Sequence, residues 1–406
     1  MPLIRPTAIV IKLDCVTGLD TARILSRHEI PVIGIADNPK DYCCKTTSCK
    51  EIISCSTTDK NLLDTLLNLA KRFEAKPVLF PCSDESVLIL SENREILKEF
   101  YNFVIPDADV LDLYMNKRNF YRYSRENGFP IPATYFPSNV TDLEDIIKRA
   151  SFPCSIKPVM KTPNWYKHFN HKVVKVMSPE ELSESFVKCS SAGESVIVQE
   201  WIEGTDSDLY SCIFYYNEDY NQEILFTSRK LRQWLIDSGD ASLAQEWRND
   251  SVLEITEELL GRIKFRVIGS IEYKQDSSSG RYFVTEPNIG RPVSRIGLVE
   301  DAGVLIIQTM YCDASGLPLP SHEGQLYGDV KWILLRNDVL SAWTYYKKGE
   351  LSLWGWIKSL HGEKSYAVLS VRDPLPFITL IYMDLSRLCK RFLRRIYKRL
   401  VRSTQN

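Results

Sequence analysis

The chain has 406 residues, 44% of them hydrophobic and 25% charged, with a net charge of −1. That length provides for two or three domains with buried cores, and so neutral a balance gives no chain-wide attraction for nucleic acid. No run reaches the eighteen or so apolar residues of a spanning helix. The first residues, MPLIRPTAIVIKLD, lack the apolar region and cleavage site of a secretory signal, so a cytoplasmic protein is expected. The eleven cysteines are odd in number and include no paired CxxC units. Free thiols in a reducing compartment are expected, with a metal or thiol site at Cys43, Cys44, Cys49 and Cys55 as the alternative.

In chain order, Thr7–Leu13 is a β-branched run that predicts a buried strand, followed by a helical pattern through Ala22, Ile24 and Leu25. Ile30–Ala36 predicts the next strand, Leu62–Phe73 an amphipathic helix, Pro77–Phe80 a strand, and Ser83, Asp84 and Glu85 a helix start. Strands alternating with helices predict a parallel, doubly wound, Rossmann-like sheet over residues 1–110. Gly18 alone, without GxGxxG, does not make a dinucleotide site.

The pattern then changes. Asn116–Asn127 predicts a helix closed by Gly128 and stopped by Pro130 and Pro132. Short strands follow at Ser155–Lys157, Val173–Val176, Ser195–Gln199, Ser211–Tyr216 and Gln222–Thr227, with a capped helix starting at Ser178. Gly269–Lys274 and Tyr282–Thr285 predict a hairpin around QDSSSG. The expectation is an antiparallel α+β region over 111–312, a helical, Trp-rich extension over 313–373 and a basic tail over 374–406.

Several residues bear on chemistry. Lys157 ends an apolar strand, where a lysine either reaches the surface or binds an anion. Lys117 alone says little. The segment Val196–Gly204 runs from a strand into an amide, an acid, an apolar pair and a glycine, which can face an adenine edge and a ribose; an ordinary strand end is the plainer reading. Glu272, Glu286 and Asn288 lie on the two predicted hairpin strands. Hairpin partners can present both carboxylates on one face, and oxygen-only ligands suit Mg²⁺; a solvated strand face would look the same. Arg229, Lys230, Arg232, Arg291 and Arg295 supply the positive charge that phosphoryl transfer needs, or are exposed surface.

The order of FPCSDESVLILSENREIL, MNKRNFYRYSRENGFPIPATY, CSIKPV, VIVQEWIEG, SRKLRQW and GSIEYKQD–VTEPNIGRP over residues 7–312 resembles the ATP-grasp superfamily, in particular its carboxylate–amine ligases associated with polysaccharide genes. The resemblance implies a Rossmann-like pre-ATP-grasp domain followed by an ATP-grasp fold of two subdomains. It implies ATP as cosubstrate and Mg²⁺, or Mn²⁺ in its place, with a small-molecule carboxylate and an amine as substrates. Lys117 and Lys157 then resemble the nucleotide-phosphate lysines, and Gln199, Glu200, Trp201 and Ile202 the adenine hinge. Asp206 or Asp208 resembles the ribose ligand. Glu272, Glu286 and Asn288 resemble the metal ligands, Arg291 the arginine near the acyl phosphate, and Lys230 or Arg232 a further phosphate contact.

Two departures stand out. Glu286-Pro-Asn-Ile-Gly-Arg291 is one residue longer than the usual spacing, which puts the aim of Arg291 in question. The loop after Lys157, MKTPNWYKHFNHK, has no glycine for a phosphate lid, which leaves Lys172 as a candidate to substitute by charge; His168 and His171 are read as exposed, with pH-sensitive lid contacts as the alternative. The implied reaction forms an amide through an acyl phosphate. The alternative, favoured by these departures, is a non-catalytic ATP-binding or scaffolding subunit of a polysaccharide assembly.

In the tail, Leu385, Leu388, Phe392, Ile396 and Leu400 fall on one helical stripe, and eight Lys or Arg lie between Arg387 and Arg402 with no acid. Such a helix can rest on an anionic membrane, each basic residue contributing about 1 kcal/mol. Pro374 and Pro376 are expected to separate it from the folded body. A helix packed on its own domain and a disordered end are the other readings; RNA binding is disfavoured because the rest of the chain is acidic.

Overall fold

The computed structural model describes residues 5–160, 163–169, 172–236, 239–263, 265–321 and 324–403. The first domain is a parallel five-stranded sheet of β1 (Ala8–Ile11), β2 (Val32–Ala36), β3 (Glu51–Ser54), β4 (Val78–Pro81) and β5 (Asn102–Phe103), in the order β3-β2-β1-β4-β5. The central strands are buried on both faces, which is why they read as unbroken apolar runs. The Val16–Arg27 helix starts directly after β1, capped by Cys15. A Cβ on Gly18 would lie 2.3 Å from the carbonyl oxygen of Lys12. Gly18 therefore lets the helix pack on the strand's exit, a packing role and not a phosphate loop.

The second unit is a four-stranded antiparallel sheet, β6 (Thr134–Tyr135), β7 (Cys154–Pro158), β8 (Val174–Val176) and β9 (Val196–Glu200), in the order β6-β9-β7-β8. The Val140–Ile147 and Pro179–Ser191 helices pack on it around a separate core of Leu143, Ile156, Trp165, Leu182 and Phe186. Ser178 caps the second of these helices, as its sequence predicts. In the Pro163–His168 helix Trp165 is buried and stacks on Phe169 at 4.3 Å, an aromatic pair that anchors this helix.

The third unit is a seven-stranded sheet. It contains β10 (Leu209–Tyr216), β11 (Gln222–Trp234), β12 (Asp240–Glu246), β13 (Val267–Gln275), β14 (Tyr282–Ile289), β15 (Lys331–Ile333) and β16 (Lys364–Tyr366), in the order β14-β13-β10-β11-β12-β15-β16. Strand β11 continues to Trp234, beyond the predicted end at Thr227, because β12 takes over the pairing where β10 leaves it, at Ser228–Arg229. The segment beyond residue 312 is not only helical: β15 and β16 extend this sheet, and the Leu335–Lys348 helix packs on β11 and β12.

The expected separation of the tail at Pro374 and Pro376 is corrected by the structure. A helix runs from Leu375 to Ser403, and Pro376 sits in its first turn, where its missing N–H costs nothing. Phe377 and Leu380 pack into the core that the first and third units share, so the first turns of the tail are anchored.

Candidate active site

A cavity of about 430 Å³ opens where the three units meet. From the first domain it takes Cys15, Thr17 and the turn Ser83–Glu85; from the others it takes Lys117, Lys157, Lys172, Lys230, Glu272, Glu286, Asn288, Arg291 and Arg295. A smaller cavity of about 130 Å³, lined by Gln199, Glu200, Trp201, Ile202 and Asp206, shares Lys157, Val173, Leu209, Gln233 and Thr285 with it. The two are therefore adjoining parts of one cleft.

The hairpin β13–β14 sets the acidic centre. Glu272 and Glu286 are directly opposed in its ladder, and Ser270 is opposed to Asn288. Its turn is tied by Asp276, which accepts from the hydroxyls of Ser278 (2.7 Å) and Ser279 (2.6 Å). Two carboxylates so placed repel unless cations intervene. Lys230 donates to Glu272 at 3.0 Å, Arg295 donates to its other oxygen at 3.3 Å, and Lys117 stands 3.7 Å from Glu286. Burial alone would raise the pKa of Glu272; Lys230 and Arg295 outweigh it and hold the group below the usual carboxylate range.

Lys157 lies on β7 and donates to Gln199 Oε1 at 2.6 Å, and Gln199 in turn donates to Thr134 at 2.8 Å. The side chain of Gln199 thus orients a lysine. Burial pushes Lys157 down to about 8; Glu286 opposes that shift and Lys117 adds to it. Lys117 opens the Lys117–Glu126 helix, capped by Asn116. Glu200 accepts from the backbone of Ala133 at 3.0 Å, and Lys175 lies 4.3 Å above the Trp201 ring. Lys172 pairs with Asp240 at 2.5 Å. His168 is exposed, while His171 lies outside the described residues.

Arg291 aims into the large cavity despite the longer spacing. Its guanidinium pairs with Asp84 of the first domain at 2.5 Å and donates to Asn288 at 3.2 Å. Asp206 and Asp208 separate clearly. Asp206 lines the smaller cavity and accepts from Gln233 Nε2 at 2.6 Å and from the hydroxyl of Tyr345. Asp208 caps its own turn, accepting from the backbone of Thr205 at 2.7 Å.

Arg232 does not reach the cavity, which corrects its expected place beside phosphate. It donates to both oxygens of buried Asp338, at 2.8 and 2.9 Å, and to Ser359 at 2.8 Å. The cause is local: the β11–β12 register shifts between Lys230 and Arg232, so residues that a regular strand would place on one face point to different surroundings.

Sequence reasoning missed Cys15, Thr17, Asp84, Glu85, Gln233 and Tyr345. The acidic start at Ser83–Glu85 was legible only as a helix cap. Tyr345 carried no signal, because its helix is far from the motifs in the chain. The cysteines of the alternative site are free, with Cys43 and Cys44 buried. Among the described residues no group of three or more His, Cys, Asp or Glu is placed to hold a metal.

A parallel domain followed by two sheets that enclose a lysine-rich cleft over an acidic hairpin is the ATP-grasp fold, and solved structures share it. The N5-carboxyaminoimidazole synthetase of Staphylococcus aureus complexed with ADP is 15% identical, with a TM-score of 0.60 over 78% of each chain. The biotin carboxylase–β-γ-ATP complex of Campylobacter jejuni is 15% identical, with a TM-score of 0.60 over 78% of this chain and 72% of that one. By sequence, the chain is similar to a D-aspartate ligase of Enterococcus faecium (strain Aus0004), 23% identical over 255 residues; the match spans 59% of this chain and 60% of that relative's length. No protein-family model matches the chain.

Proposed function

We propose that this protein is an ATP-dependent carboxylate–amine ligase that forms an amide through an acyl phosphate and releases ADP and phosphate. One observation carries the reading: Lys117, Lys157, Lys230, Arg291 and Arg295 converge with Glu272, Glu286 and Asn288 on one cavity, beside a slot lined by Gln199–Ile202. The slot suits the nucleotide base, and Asp206, which lines it, is the ribose contact in this reading. Lys117 and Lys157 are the phosphate contacts. Lys230, Arg291 and Arg295 offer charge to the transferring phosphoryl group. Arg232, committed to Asp338, has no part in it.

Glu272, Glu286 and Asn288 offer only oxygen donors, which suits Mg²⁺ or Mn²⁺; further ligands have to come from phosphate oxygens and water. Such an ion, when bound, neutralises phosphate charge. The substrate carboxylate attacks the γ-phosphorus and ADP leaves. The amine then attacks the acyl carbon, and phosphate leaves. No protein nucleophile is needed. The name of the relative makes D-aspartate the first carboxylate to test.

The experiment is a panel of carboxylates and amines incubated with ATP, with the spent nucleotide separated by chromatography. ADP released only when both substrates are present supports the reading; AMP and pyrophosphate as the products sink it. The second part of the proposal concerns place. No helix among the described residues is long and apolar enough to cross a membrane. The reading is a cytoplasmic enzyme whose basic Leu375–Ser403 helix rests on the inner membrane face, near polysaccharide intermediates.

A further inference from the structure

Exposed large apolar side chains are unevenly distributed over the described residues. Of 26 such residues, 15 fall between Val339 and Leu388. The Leu353–Ser359 helix has no buried residue, although Leu353 is 63% exposed, Trp354 73% and Ile357 49%. On the Leu335–Lys348 helix, Trp343 and Tyr346 are exposed and stacked at 5.7 Å. Lys347 stands 5.1 Å from the Trp343 ring centre.

The Leu335–Lys348 helix links the Leu353–Ser359 helix to the basic helix. Arg336, in the first turn of the Leu335–Lys348 helix, pairs with Asp384 of the Leu375–Ser403 helix at 3.1 Å. Trp356 donates to Asp338 at 2.9 Å, which turns the inner side of the Leu353–Ser359 helix toward the body and leaves Leu353, Trp354 and Ile357 outward. On the basic helix Phe377 and Leu380 face the core, whereas Ile378, Ile381, Tyr382, Leu385 and Leu388 are exposed. Arg387, Lys390, Arg391 and Arg394 are exposed beyond them.

We infer that the outer faces of these three helices form a single docking surface for an anionic lipid bilayer, in which Trp343 and Trp354 enter the interface beside the basic helix. This rests on the proposal that the basic helix faces lipid, and adds a second, aromatic element to it. Charge complementarity selects the occupant: eight basic residues without an acid between Arg387 and Arg402 match anionic headgroups. Tryptophan and tyrosine have an apolar ring with a polar edge and concentrate at the water–lipid boundary. Clustered exposed apolar side chains, as opposed to scattered ones, mark interaction sites.

The test is flotation of the full chain with vesicles of phosphatidylcholine alone or with about one-third phosphatidylglycerol, at low and high salt. Two variants are compared with the wild type: Trp343→Ser with Trp354→Ser, and charge reversal to Glu at Arg387, Lys390, Arg391 and Arg394. Nucleotide binding in each variant checks that it is folded. The inference predicts that the wild type floats with anionic vesicles at low salt, with a blue shift of tryptophan fluorescence, and that each variant loses most of the bound fraction. If the tryptophan variant floats like the wild type while the charge variant does not, the aromatic element is refuted and the basic helix alone stands. If the wild type fails to float at low salt, both readings fall. If light scattering shows a dimer that the tryptophan substitutions dissociate, the face is an interface between copies and the inference is overturned.

Discussion

At the residue scale, Lys157 makes a pH prediction. Its pKa is lowered to about 8, chiefly by burial. A phosphate contact requires the ammonium form. Below pH 8 the lysine is already charged and adds no pH dependence to nucleotide binding. Above pH 8 binding must take up a proton, so ATP affinity is expected to fall by up to about tenfold per pH unit. Lys157→Arg should abolish that fall, and Lys157→Ala should weaken ATP binding by about 1.5–3 kcal/mol, the range for hydrogen bonds to charged groups. Calorimetric titration between pH 7 and 9.5 measures both; a flat wild-type profile would put Lys157 outside the phosphate site. Glu286→Gln removes charge with little change of shape. It is expected to lower turnover by about 10²-fold with partial recovery at raised Mg²⁺, and unchanged steady-state kinetics would refute its assignment. The opposed carboxylates were legible because a hairpin turn shows in sequence; Lys117 and Lys157 were singled out only by the resemblance, since a lone lysine at a helix start or strand end reads equally as surface. Two placements were not legible: a register shift leaves Lys230 but not Arg232 on the cavity, and the 3₁₀ turn at Asp206–Asp208 leaves Asp206 but not Asp208 on the smaller one.

At the scale of elements, the Leu335–Lys348 helix joins the extension to the cleft. Asp338 accepts two bonds from Arg232 and one from the Trp356 indole; Ser341 donates to Gln233 O at 2.7 Å; and Tyr345 donates to Asp206. The two ends of this row make different predictions. Asp338→Ala leaves a buried guanidinium without its carboxylate and is expected to cost about 3–5 kcal/mol, read as a lowered thermal midpoint. Tyr345→Phe removes one hydroxyl from Asp206. It is expected to raise the KM for ATP roughly fivefold, about 1 kcal/mol, with kcat and the melting temperature nearly unchanged. A fall in kcat at constant KM would place Tyr345 in another role. The β13–β14 hairpin was legible from QDSSSG between two alternating runs. The three-residue strands β15 and β16 were not, because so short a stretch carries no period, and their pairing is supplied by the sheet they join.

At the scale of the molecule, the passage from a parallel domain to a region of short antiparallel strands was legible from the change of pattern near residue 106, whereas its division into two units was implied only by the resemblance. The closing of the cleft was not. Arg291 meets Asp84 across 207 positions of sequence, and Arg23 meets Asp373 across 350, at 2.9 Å. Contacts of that separation leave no local pattern. The first holds the Ser83–Glu85 turn beside the acidic hairpin as a wall of the cleft, and the second ties the first domain to the C-terminal extension. The account's central claim is that a carboxylate in this cleft attacks the γ-phosphate of ATP. The most direct measurement uses a carboxylate substrate labelled with ¹⁸O in both oxygens, with mass spectrometry of the phosphate released during amide formation. One ¹⁸O per phosphate is predicted, because the attacking oxygen leaves with the phosphoryl group; label in AMP, or unlabelled phosphate alongside amide, would contradict the account.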